Sequence, residues 1–300
     1  MCITIEEKDI SILLANNAGR PSTALVKLLK TLNIENNKSF KNILDMMQKN
    51  WIRGQDKERW QIEDKYQDKK DVLIPLFEQL RLLSDIKSTQ FHYTYALILG
   101  GLLPAVRKRM AFLTYEWKRG VRFDEIILLG SSRPLLPDRE SPEILKDKND
   151  SDLPARPDWE FDGNLPTNEI EMMEFVFKQA QIPEDLRKTK IVSINSPNIR
   201  DKNGNERRAG TADTFNAWIN ETKPVSGSSL IISSQPFVGY QHEVALLHLP
   251  PTFQLETVGP GFTNFQNIKV GVILDNIARW AYNVNQRLEK AIKNNGAKEA

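Results

Sequence analysis

Five short apolar runs, each closed by a small or polar residue, recur between positions 95 and 260, with amphipathic stretches between them. Tyr95–Leu99 runs into Gly100-Gly101, Glu125–Leu129 into Gly130-Ser131-Ser132, and Lys190–Ile194 into Asn195-Ser196. Ser229–Ile232 runs into Ser233-Ser234-Gln235, and Phe253–Val258 into Gly259. A continuous apolar run marks a strand buried on both faces, and such burial belongs to parallel sheets covered by crossover helices. The alternation therefore predicts an α/β fold, a three-layer α/β/α sandwich on a mostly parallel sheet of about five strands. Open sheets of this kind gather ligands beyond the carboxyl ends of their strands. The small and hydroxylic residues stand at those ends, so the chain marks a cleft where backbone approaches a ligand closely.

The bulk numbers narrow the partners. Among 300 residues, 41 basic against 39 acidic give a net charge of +2, so no global field recruits nucleic acid or anionic lipid. Aromatic residues are not interleaved with basic ones, which argues against a nucleic-acid surface. The one cysteine, Cys2, excludes an internal disulfide and a cysteine-based metal cluster. No window approaches the apolar length needed to cross a bilayer, so no membrane partner is expected. The start, Met1 to Lys8, lacks the basic and apolar regions of a secretory signal, and a cytosolic location is the expectation. Export that reads no such signal stays open.

The chain divides into a helical N-terminal extension over 1–90 and an α/β domain over 91–300 with an insertion at 134–166. In the extension, Ser22 is placed to cap a helix carrying Leu25, Val26, Leu28, Leu29 and Leu32. Asn37 or Ser39 starts a second, with Phe40, Ile43, Leu44 and Met47 on one side; a charged stretch follows from Asp56. A third apolar pattern, Val72 to Leu83, is expected to divide or kink at Pro75. Beyond it, helices are predicted over Pro104–Gly120, over Thr167–Gln181 with Thr167 or Asn168 as cap, over Thr211–Asn220, and over Tyr240–Leu249. A last one runs from Val270 to Lys293, with a frayed tail from Asn294. The proline-rich insertion leaves the sheet just after Gly130-Ser131-Ser132 and is expected to arch over the cleft as a lid. Ile199–Gly210, through Asp201 and Asn203, begins as a turn and ends basic at Arg207-Arg208.

Gly100-Gly101 reads either as a glycine turn that admits a ligand to the backbone or as a tight strand-to-helix turn; no G-x-G-x-x-G or phosphate-loop sequence completes it. Arg107 and Arg109 follow in the next helix, where either could meet an anion. Gly130-Ser131-Ser132-Arg133 offers backbone N–H groups, two hydroxyls and a guanidinium. Neither a hydrolase triad nor a zinc site can be assembled from His92, His242 and His248; His242 is the best placed of the three for catalysis, because it follows the fourth strand. Glu169 and Glu171 open a helix at the mouth of the cleft, where a carboxylate serves either the helix dipole or a ribose hydroxyl or amine.

In this order the residues resemble the YdcF-like family, related to SanA, a bacterial group with a Rossmann-like fold. The likeness rests on Leu97-Ile98-Leu99-Gly100-Gly101, on Arg109, on Gly130-Ser131-Ser132, and on the helix led by Glu169 up to Ile182-Pro183. Thr211 through Asn216, Ser233-Ser234-Gln235-Pro236, Val258-Gly259-Pro260, and Asn276 with Trp280 continue it over about residues 93 to 290. The chain departs from the family at Phe215, where an acid usually stands, and over Pro236–Glu243, which lacks the usual histidine and arginine. The resemblance implies a Rossmann-like cleft for a nucleotide-like small molecule, S-adenosylmethionine first among candidates, with transfer or hydrolysis as the reaction class if the chain is an enzyme. It implies ligand contacts at Gly100, Gly101, Arg109, Gly130, Ser131, Ser132, Glu169, Asn195, Thr211, Asn216, Ser234, Gln235 and Gly259, and no metal. The other reading is a catalytically degenerate interaction protein that docks a protein partner through its N-terminal helices and the 134–166 loop.

Overall fold

Every one of the five apolar runs is a strand: β1 (His92–Leu99), β2 (Arg122–Ser131), β3 (Lys190–Ser196), β4 (Ser228–Ile232) and β5 (Gln254–Val258). They form one parallel sheet in the order β3-β2-β1-β4-β5. The computed structural model describes residues 10–34, 39–54, 57–63, 65–200, 202 and 204–296. The expectations placed on Cys2 and the first eight residues, on Asn37, Asp56, Asp201 and Asn203, and on the tail after Gly296 lie outside the described residues. Contacts group the chain into two units: a sheet unit of Lys87–Ser234 with His248–Pro260, and a helical unit of Met1–Ile86, Gln235–Leu247 and Gly261–Ala300.

In the sheet unit, Ala96 to Leu99 and Ile126 to Leu129 are buried along their length, as strands covered on both faces must be. Helix α4 (Leu103–Lys118) links β1 to β2 and α5 (Glu169–Gln179) links β2 to β3, stepping one way across the sheet. Helix α6 (Thr211–Thr222) then carries the chain back past two strands to β4. Right-handed crossovers put α4 and α5 on one face and α6 on the other, which makes three layers of a Rossmann-like kind. Pro104 sits in the first turn of α4, where a missing N–H costs nothing, and Gly120, at φ +99°, ends the turn that follows the helix. On the α6 face Trp218 is fully buried and meets Tyr95 edge-on at 5.2 Å and Phe253 at 5.6 Å.

The insertion does not arch as a lid. Its one-turn helix Pro142–Leu145 is held by Arg107, which donates to Asp150 (2.9 Å) and to the carbonyl of Ile144 (2.9 Å). Its later part runs down the flank of α5: Gln181 N–H donates to the Pro154 carbonyl, and Trp159 packs edge-on to Phe175 at 5.7 Å. Buried Leu145, Leu153 and Trp159 give the segment its own apolar reason to lie flat.

The helical unit holds α1 (Thr23–Thr31), α2 (Phe40–Trp51), α3 (Lys70–Gln79), α7 (Val238–His248, ending in the first residue past the division) and α8 (Val270–Gly296). Ser22 and Ser39 cap α1 and α2 by accepting from Leu25 and Asn42 N–H. Helix α3 runs through Pro75 rather than dividing there. Pro75 and Asp71, the residue whose carbonyl loses its partner, are both exposed, so water replaces the missing bond. The helix ends instead at Arg81, left-handed at φ +54°, and buried Leu82 and Leu83 lie beyond it. Helix α8 continues three residues past Lys293, so Asn294 to Gly296 are helical rather than frayed.

The division near residue 86 falls close to the expected one at 90, but α7 and α8 group with the N-terminal helices instead of with the 91–300 domain. The reason is local. Arg287 on α8 grips Glu243 on α7 (2.8 and 3.1 Å), α8 lies along α2, and the Trp280 ring lies so close to Gly239 that a Cβ there would sit 2.5 Å from it. Among the described residues no helix is long and apolar enough to cross a membrane.

Candidate functional site

The strand registers bring the predicted residues to one level. Leu99 pairs with Leu129 and Leu129 with Ile194, so Gly100, Gly130 and Asn195 follow side by side. Ile98 pairs with Ile232 and Ile232 with Val258, which sets Ser233 and Gly259 one step below that row and Ser234 within it. The strand order reverses between β1 and β4, the switch point where open α/β sheets form their crevice.

Glycine is required along this row by close approach. A Cβ on Gly100 would lie 2.9 Å from the Glu169 carboxylate and from the Leu129 carbonyl oxygen. On Gly130 it would meet the Ile170 backbone at 2.9 Å, and on Gly259 the Ser233 carbonyl at 2.6 Å. Gly101 is looser, with Arg109 Nη1 at 3.2 Å. The glycines thus let the first turn of α5 and its carboxylate press against the strand ends.

Four charged side chains are buried here. Arg109, on α4, donates from Nη1 to the Leu99 carbonyl (2.8 Å) and to the Gly100 carbonyl, and reaches Ser234 Oγ from Nη2 at 3.5 Å. Arg133 binds Glu140 through both guanidinium nitrogens (2.8 and 2.9 Å) and donates to the Gly101 carbonyl (3.2 Å). Glu140 also accepts from Leu103 N–H (3.1 Å) and Leu136 N–H (2.8 Å), so its acceptor sites are filled. Glu169 accepts from Ser131 Oγ at 2.5 Å and faces Arg133 Nε at 3.8 Å. Burial pushes the Glu169 carboxyl above the usual glutamate range, opposed by the Ser131 hydrogen bond and the charges of Arg133 and Arg109.

Of the predicted residues, Gly100, Gly101, Arg109, Gly130, Ser131, Glu169 and Ser234 meet in this cluster, and Ser132 joins its rim by donating to Asn195 Oδ1 (3.0 Å). Gly259 lies against the Ser233 backbone. Thr211 begins α6 at the end of the β3 connection, whereas Asn216 is exposed on that helix, with no described hydrogen bond into the cluster. Gln235 belongs to the helical unit, where its side-chain amide donates to the carbonyls of Arg81 (2.8 Å) and Ser84 (3.0 Å). Glu171 caps its own helix by accepting from Thr167 N–H (2.7 Å) and Oγ1 (2.8 Å), which holds its carboxyl below the usual range.

His92 lies at the amino end of β1 beside Asp124 (3.0 Å), at the opposite edge of the sheet. His242 and His248 are on α7, six positions apart. Among the described residues no group of three His, Cys, Asp or Glu side chains is arranged to hold a metal ion. Sequence reasoning missed Glu140, which no motif marks, and weighed Arg133 only as a free anion hook. Its only signal was a charge of opposite sign seven residues after Arg133.

No protein-family model, curated protein or solved structure matches this chain.

Proposed function

We propose that the sheet unit binds a nucleotide-like small molecule, cytosolic in setting, over the carboxyl ends of β1, β2 and β4. The observation that carries this is the Glu169 carboxylate at the glycine row of the switch point. Arg133 is committed to Glu140 and Arg109 to backbone carbonyls, whereas Glu169 is held by one hydroxyl and one distant guanidinium. The group that this arrangement offers a ligand is an anionic acceptor, so the ligand brings a donor: a ribose hydroxyl or an amine rather than a polyphosphate. S-adenosylmethionine, which carries both and a positive charge, leads the candidates, in line with the YdcF-like resemblance. Gly100 and Gly101 let its polar groups reach the backbone, and Ser132 and Ser234 fix its orientation. If the site turns substrate over, the class is transfer or hydrolysis on a nucleotide-type compound.

Thermal unfolding against S-adenosylmethionine, S-adenosylhomocysteine, nucleotides and dinucleotides tests the reading. A ligand at one hundred times its dissociation constant adds about 2.7 kcal/mol, a shift of a few degrees for a chain of this size. Glu169→Gln, which keeps the shape and removes the charge, should abolish the shift. A flat response to the whole panel overturns the reading. It would favour the alternative, a degenerate site whose arginines are spent internally, in a protein that docks a partner through its helices and the 134–166 segment.

A further inference from the structure

The helical unit carries a second concentration of charge, and this one does not balance. Asp275 on α8 is 1% exposed and is bound by Arg279 through Nε (2.9 Å) and Nη2 (3.1 Å). The same carboxylate accepts from Arg53 N–H (3.0 Å) and lies 3.5 Å from Arg53 Nη1. Arg59, stacked over the Phe237 ring at 4.2 Å, is the third cation in the group. Burial first, and then the charge of Arg53, hold Arg59 below the usual arginine range, with Tyr240 and Asp275 acting against them. Among the described residues, three guanidinium groups therefore answer to the one carboxylate of Asp275.

Beside them a cavity of about 120 Å³ is lined by Trp51, Arg53, Ile62, Lys65, Tyr66 and Leu274, among others. One lining residue, Trp51, carries a buried donor, Nε1, without a hydrogen-bond acceptor among the described residues, and Arg53 Nη1 makes no hydrogen bond there, only the 3.5 Å ion pair with Asp275. Unmet buried donors are rare, because each gives up its hydration and gains no partner in return. Lys57, also in the lining, is paired with Glu63 at 3.3 Å, whereas Lys65 makes no salt bridge among the described residues. The wall thus combines an unmet donor, three cations against the one carboxylate of Glu63, and flat or branched apolar faces.

We propose that this cavity binds a small flat organic carboxylate, its anionic head drawn by Arg53 and Lys65 and its body packed on Trp51, Ile62 and Leu274. The carboxylate supplies the acceptor that Trp51 Nε1 lacks, gives Arg53 Nη1 a closer one than Asp275 at 3.5 Å, and offsets the three arginines around Asp275. A guanidinium fork accepts a carboxylate as readily as a phosphate, and the apolar faces of Trp51, Ile62 and Leu274 favour the anion that brings a flat organic body. The proposal stands apart from the reading of the sheet unit, since none of its residues belongs to the glycine row.

Titration calorimetry on the full chain with benzoate, inorganic phosphate and benzyl alcohol tests it. Benzoate should bind, and the other two should bind at least tenfold more weakly. Lys65→Met, at an exposed position where folding is secure, should weaken benzoate several-fold. Trp51→Phe, which keeps a ring and removes the N–H, should weaken it to a similar degree, with a thermal melt to verify the fold. Absence of benzoate binding, equal binding of phosphate or benzyl alcohol, or benzoate affinity unchanged in both variants would overturn the proposal.

Discussion

The carboxyl end of the sheet and the Asp275 cluster of the helical unit both gather arginines, buried at the sheet and half-buried around Asp275, and they balance them differently. At the sheet, Arg109 and Arg133 meet Glu140, Glu169 and a set of backbone carbonyls, two cations for two anions. Around Asp275, three cations share one anion. A balanced cluster is a frame: its charges orient one another, and what it offers a ligand is the group left least committed, here Glu169. An unbalanced cluster is a demand, because desolvated like charges repel until an anion or water joins them. The same residue type therefore serves architecture in one place and recognition in the other.

Removing charges from each side is the sharpest way to break that contrast. Glu140→Ala should cost the most, about 3–5 kcal/mol by chemical denaturation, since it strands a buried guanidinium and two N–H groups. Asp275→Asn should cost less, about 2 kcal/mol, because Arg53 and Arg279 keep part of their surface in water. Added millimolar benzoate should narrow the gap to the wild-type chain in Asp275→Asn and leave it unchanged in Glu140→Ala, whose cavity is intact.

The glycine row gives a smaller and local effect. Gly100→Ala should cost about 1–3 kcal/mol, as its Cβ meets the Leu129 carbonyl as well as the Glu169 side chain. Gly101→Ala, facing only the far end of Arg109 and the Ala105 methyl, should cost well under half of that. Equal losses at the two positions would mean that the row is not shaped by the approach of α5.

The smallest effect is a pH dependence. A Glu169 carboxyl raised in the folded state favours folding below its unfolded value, and that contribution is lost as pH rises through the raised value. Relative to Glu169→Gln, the wild-type chain should therefore lose stability as pH rises from about 4.3, the ordinary glutamate value, through the raised folded-state value, by at most about 1.4 kcal/mol per pH unit. Melting curves of both proteins across that range check it; parallel curves would mean that the carboxyl titrates as an exposed glutamate.

Much of the fold was legible because its strands are local objects. An apolar run such as Ala96 to Leu99 or Ile126 to Leu129 declares double-sided burial by composition alone, and Ser22 and Ser39 declare helix starts by type and place. Of the two outcomes expected at Pro75, division does not occur, because the carbonyl that it frees belongs to exposed Asp71 and needs no protein partner. The insertion was misread as a lid because nothing local says which way Trp159 and Leu153 face.

The candidate site was legible as a row and opaque as a circuit. Small residues after each strand announced where the backbone would be approached, and parallel register brought them level. That Arg133 would be claimed by Glu140, or that Gln235 would turn to the carbonyls of Arg81 and Ser84, depends on contacts between positions with no periodic relation.

By itself the sequence determined the layers, the strand ends and their glycines, since burial on two faces and the absence of a Cβ are properties of single residues and short runs. Only the tertiary structure decided which charges pair and which are left over, and that α7 and α8 group with the N-terminal helices. Those outcomes depend on how the chain brings side chains together, and a charge finds its partner only once folding has set the two within reach of each other.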